Sequence, residues 1–87
     1  MFAMTKSSER TLQVLLFASL RDQAGWDKQC VLLPDQDVVT AEDIWHQLNL
    51  GPRPASVQIS INQRLVNALT PVQKGDEVAF LPPFTGG

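Results

Sequence analysis

No β-sheet can continue past residue 81 of this chain. The apolar run Glu77-Val78-Ala79-Phe80-Leu81 is followed at once by Pro82-Pro83. Neither proline has an N–H to give to a ladder, and each fixes its own φ. Upstream, Lys74-Gly75-Asp76 carries the turn chemistry that starts a strand. A proline pair favours extended polyproline II, so Pro82 and Pro83 project Phe84-Thr85-Gly86-Gly87 away from the body. Gly86 and Gly87 have no side chains and can thread a slot too narrow for any other dipeptide. This stretch is expected to be the site: a strand, a rigid spacer and a presented carboxylate on Gly87.

What precedes the tail must be one small domain. With 87 residues the chain sits near the lower end of what folds alone. Residues 1–10 lack the apolar stretch of a signal peptide and read as a disordered lead-in. Residues 11–81 form the domain, and 82–87 the extended tail. A net charge of −2 gives no basic footprint, which argues against nucleic acid as a partner. No apolar run approaches the length of a membrane span. A single cysteine excludes an internal disulfide and fits a reducing, cytoplasmic setting.

Within the domain, Thr11 to Ala18 is expected to be the first strand. Leu12, Val14 and Leu16 share one face, with Gln13, Leu15 and Phe17 on the other. A sheet covered by helix on one side should be polar on its second face. Leu15 and Phe17 break that rule, which points to an apolar docking patch there. Ser19-Leu20-Arg21-Asp22 has a capping pattern and Gly25 a stop signal, giving a short helix. Gln29 to Leu33 reads as a second strand ending at Pro34, with Cys30 a structural thiol rather than a nucleophile.

Thr40 and Asp43 have capping-box spacing, and Ala41, Ile44, Trp45 and Leu48 form one apolar stripe. This predicts the main helix, ending near Asn49 to Gly51, with His46 on its solvated side. Val57, Ile59 and Ile61 alternate with polar residues, the clearest half-buried strand in the chain. Asn62-Gln63-Arg64 turns tightly into Leu65 to Ala68, and Thr70-Pro71 opens a long turn to the last strand. The sum is an α+β fold of about five strands, with the main helix across one face and a short helix after the first strand.

Catalytic machinery is hard to assemble from these residues. There is one histidine, one cysteine and no tyrosine, with no metal-ligand spacing and no Gly-rich phosphate loop. Asp76 and Glu77 are adjacent acids of a solvated turn, and their side chains diverge. The one group suited to reaction is the carboxylate of Gly87, which needs activation by a partner that uses ATP. Attack by an amine then gives protein ligation; attack by a sulfur nucleophile gives a thiocarboxylate.

The pieces VLLFASLRDQAG (residues 14–25), INQRLV (61–66) and KGDEVAFLPPFTGG (74–87) resemble the sulfur-carrier small subunits of molybdopterin synthase, within the ubiquitin-like β-grasp family. The resemblance implies a mixed β-grasp sheet and a protein inert on its own. It implies that a ubiquitin-activating-like adenylyltransferase uses MgATP to adenylate Gly87, with no cofactor or metal held by the carrier. Sulfur then converts the acyl-adenylate to a thiocarboxylate, which donates to cyclic pyranopterin monophosphate inside the large synthase subunit, in a heterotetramer. Phe17, Leu65 and Leu81 correspond to the family's docking patch, with Pro82, Pro83 and Phe84 at the tail and Gly86 inside the slot. Phe84 departs from the smaller aliphatic residue usual at its position. A ubiquitin-like protein modifier, a carrier for thiamine or cysteine biosynthesis, and a plain interaction domain remain as alternatives.

Overall fold

The computed structural model describes residues 10–83. Met1–Glu9 and Phe84–Gly87 lie outside the described residues, and with them most of the lead-in and the end of the tail.

Strand β1 (Thr11–Leu16) and strand β7 (Glu77–Leu81) lie side by side and parallel at the centre of a five-stranded sheet. β2 (Lys28–Leu32) pairs antiparallel with β1 on one side. β4 (Gln58–Ile61) pairs antiparallel with β7 on the other, and β5 (Arg64–Val66) completes a hairpin at that edge. The strand order is therefore β2-β1-β7-β4-β5. The hairpin turns on Asn62 and Gln63, both at positive φ (51° and 70°). Two successive left-handed residues match the twist of the flanking strands, as two-residue hairpins require.

Register explains the core. One face carries Leu12, Val14 and Leu16 of β1, Val78 and Phe80 of β7, and Ile59 and Ile61 of β4, all buried. Helix α2 (Ala41–Gln47) lies on that face and buries Ala41, Ile44 and Trp45. Its start is the expected capping box. Thr40 Oγ1 accepts from the Asp43 amide at 3.2 Å, and Asp43 Oδ2 accepts from the Thr40 amide at 2.9 Å. Between them they satisfy donors that a helix start otherwise leaves orphaned. Arg53 fastens the helix to the next loop: its Nε donates to Glu42 Oε1 at 2.7 Å, and its Nη1 to the Val57 carbonyl at 3.3 Å.

Five local expectations are revised. β1 stops at Leu16, and helix α1 (Ala18–Ala24) begins only one residue later, with Phe17 at its N-cap. No side-chain cap bond forms there, so the Ser19/Asp22 pattern does not act as a cap. Gly25 does stop the helix, in the left-handed conformation with φ 87°. The main helix ends at Gln47, leaving Leu48 as a half-buried C-cap rather than a fourth core position. Pro71–Val72, expected inside a long turn, forms strand β6 against β3 (Val39–Thr40), a second sheet of two strands. Cys30 is an exposed free thiol on the edge strand, not a packed one.

Candidate functional site

The second face of the large sheet has no helix over it among the described residues, and its rows follow from the same register. One row runs Lys28, Leu15, Ala79, Ser60, Leu65 across all five strands. The next pairs Leu81 with Gln58. A face left open to water should alternate polar residues through every strand. Here β1, β7 and β5 instead contribute Leu15, Ala79, Leu81 and Leu65. Ala79 is buried and Leu15 and Leu81 are half-buried, while Leu65 is 66% exposed and Phe17 44% exposed, so the apolar surface is left open at these two residues.

Phe17 extends this surface to the end of the sheet from which the tail leaves. β1 and β7 are parallel, so the residue after Leu16 and the residues after Phe80 emerge together. Phe17, Ala18, Leu81, Pro82 and Pro83 line a mainly apolar cleft of about 240 Å³ at that point. Phe17 also forms a wall of a shallower hollow with Leu15, Arg21, Asp27 and Lys28. An apolar floor thus meets a charged rim beside α1, the layout of a protein-docking surface rather than of a small-molecule pocket.

Of the residues singled out in the sequence, Phe17, Leu81, Pro82 and Pro83 are brought together in the cleft. Leu65 lies on the same face, two strands away from Leu81 across β4. Phe84, Gly86 and Gly87 lie outside the described residues. His46 is exposed, with Nε2 3.3 Å from Glu42 Oε2 in an ordinary one-turn helix pair. Asp76 is engaged structurally: its carboxylate accepts from Asn62 Nδ2 at 3.0 Å and from the Gln73 amide at 2.8 Å. No cluster of three potential metal ligands occurs among the described residues. No helix there is long and apolar enough to cross a membrane.

Sequence reasoning did not single out Ala18, which lines the cleft with φ 50°. Nothing in an alanine announces a left-handed backbone; the only signal is the one-residue connection between strand and helix, visible once β1 and α1 are placed.

Comparison with known proteins agrees with this architecture. The chain is 37% identical over 83 residues to the molybdopterin synthase sulfur carrier subunit of Haemophilus influenzae, covering 87% of this chain and 99% of that protein. To the protein of the same name from Escherichia coli it is 34% identical, with the same coverage. Among solved structures, small archaeal modifier protein 1 of H. volcanii superimposes with a TM-score of 0.71 at 21% identity, over 85% of this chain and 98% of that one. A chain of the protein–protein complex of subunits 1 and 2 of molybdopterin-converting factor from Helicobacter pylori gives 0.60 at 21% identity, over 88% and 99%. These likenesses establish the fold as the ubiquitin-like β-grasp, with its mixed five-stranded sheet. The family model described as the ThiS family matches residues 14–87, spanning both the sheet and the tail, and the chain belongs to that family.

Proposed function

We propose that this protein is a sulfur carrier for molybdenum cofactor biosynthesis, acting as the small subunit of molybdopterin synthase. The observation that carries the reading is the 37% identity to a molybdopterin synthase sulfur carrier subunit, along 99% of that protein's length. The open apolar face and the cleft at the root of the tail are what a carrier needs to seat on a larger partner.

In this reading the carboxylate of Gly87 attacks the α-phosphate of MgATP held by an adenylyltransferase related to ubiquitin-activating enzymes. Pyrophosphate leaves, and the acyl-adenylate becomes electrophilic. Sulfide-level sulfur adds to the carbonyl, AMP departs, and a thiocarboxylate remains on Gly87. The charged carrier then docks on the large synthase subunit through Phe17, Leu65 and Leu81. Pro82, Pro83 and Phe84 aim the tail, and Gly86 passes through the narrowest part of the slot. The thiocarboxylate sulfur attacks cyclic pyranopterin monophosphate, water then cleaves the acyl–sulfur bond and restores the Gly87 carboxylate, and two such transfers build the dithiolene. Two carriers and two large subunits form a heterotetramer. The carrier needs no resident metal or cofactor, because activation belongs to one partner and the pterin to another.

Intact mass after incubation with the activating enzyme, MgATP and a sulfur donor tests the reading. The expected change is replacement of one oxygen by sulfur, localised to Gly87. Adenylation without sulfur gain, together with attachment to lysines of other proteins, would make the chain a modifier instead.

A further inference from the structure

Ala18 holds a backbone conformation that its side chain disfavours. At φ 50° it is left-handed, a region that suits glycine and, less well, asparagine. The other described non-glycine residues at positive φ have local reasons for it. Asn49 follows the end of α2, and Asn62-Gln63 is the hairpin turn. Ala18 has no polar side chain to bond its own backbone, and it opens a helix rather than closing one.

The strain has a geometrical source. Leu16 is buried and its amide donates to the Asp27 carbonyl at 2.9 Å, so the end of β1 is fixed. Leu20 is buried in the core and its amide donates to the Phe17 carbonyl at 3.1 Å, so the first turn of α1 is fixed too. Phe17 and Ala18 alone must turn the chain from strand to helix. The corner leaves the Phe17 ring exposed beside Leu81, and Ala18 itself lines the cleft between them. Glycine would make this corner without strain, but with no methyl in the wall and with a looser hinge under Phe17. Strain retained where an unstrained residue would serve marks a site at which rigidity has a use.

We infer that Ala18 is a positioning residue for docking: its strained, rigid corner fixes the Phe17 ring and completes the cleft at the root of the tail. This rests on the sulfur-carrier reading and adds to it a residue that sets how well the partner is seated, not how the terminal carboxylate reacts.

Ala18→Gly tests it, because stability and docking should move in opposite directions. The full-length variant should melt at or above the wild-type temperature, since the strain is relieved. Its dissociation constant for the large subunit should rise about fivefold or more. In the reconstituted synthase, the carrier concentration for half-maximal rate should rise in step, with the plateau rate within about twofold of wild type. Ala18→Asn, which also tolerates the left-handed region, should keep the melting temperature but weaken docking through a polar group in the cleft. A lower melting temperature for Ala18→Gly would show that no strain was stored, and binding of both variants within twofold of wild type would show that docking does not use it; either result overturns the inference. Wild-type protein that neither binds the large subunit nor acquires sulfur would remove the parent reading instead. Wild type that does both, beside variants equal to it, removes this inference alone.

Discussion

Trp45 of α2 meets Phe80 of β7 edge to face, with ring centroids 5.1 Å apart and planes at 68°. Both are fully buried, and the geometry sets the positive ring edge against the negative ring face. The Trp45 indole N–H donates to the Gly51 carbonyl at 2.8 Å, so the same side chain closes the loop after the helix. The strand that leads into the tail is thereby clamped from behind by the helix, while its other face stays free for a partner.

Trp45→Phe should keep an aromatic contact with Phe80 but leave the Gly51 carbonyl without its donor and a cavity where the larger ring stood. We expect a loss of about 1–3 kcal/mol, read as a lower denaturant midpoint at unchanged m-value. A midpoint shift equivalent to less than about 0.5 kcal/mol would place the indole outside the load of the core.

Thr40→Ala removes the acceptor for the Asp43 amide and half of the capping box. Cap removals of this kind cost about 0.5–2 kcal/mol. Chemical denaturation should report about 1 kcal/mol, with little change in affinity for the large subunit, because Thr40 lies away from the open face.

Phe17→Glu puts a charge into the apolar cleft at the base of the tail. The ring is part-exposed, so the melting temperature should change little. Affinity for the large subunit, by titration calorimetry, should fall by about tenfold or more, equivalent to at least ~1.4 kcal/mol. Unchanged binding would locate the docking surface elsewhere on the molecule.

Deletion of Gly87 should abolish the oxygen-to-sulfur mass gain while leaving the melting curve unchanged, since a terminal glycine has no side chain to add to a core. A truncated chain that still supports molybdopterin formation would refute the proposed chemistry.

Much of this architecture is legible in the residues because period and capping act locally. The alternation of Val57, Ile59 and Ile61 gives β4 its buried face, apart from Val57 just before it. The Thr40–Asp43 box marks the start of α2, and Leu15 and Phe17 break the polar pattern expected of an open face. What escapes the sequence depends on tertiary context. β3 and β6 have two residues each, too few for any period, and exist only because the loops bring Val39 and Val72 opposite one another. Leu48 continues the apolar stripe of α2, yet the helix stops before it and the side chain is only half-buried. Ser19 looks like a cap, but the connection after Leu16 is so short that Phe17 takes that position. The end of the proposed site, Phe84, Gly86 and Gly87, lies outside the described residues.

The strand order also dictates when this protein can fold. β1 with β2 makes one hairpin-like half and β4 with β5 the other, and only β7 bonds to both. A nascent chain that has delivered residues 11–66 to solution therefore holds two halves with no shared ladder. Val14 must wait for Val78, and Ile59 for Phe80. Closing so long a loop carries its entropy cost before any contact repays it, which slows folding relative to locally paired sheets. Cooperative assembly thus begins only when the final strand arrives, and the apolar row on the open face does not exist as a surface until the same segment that carries the tail has taken its place at the centre.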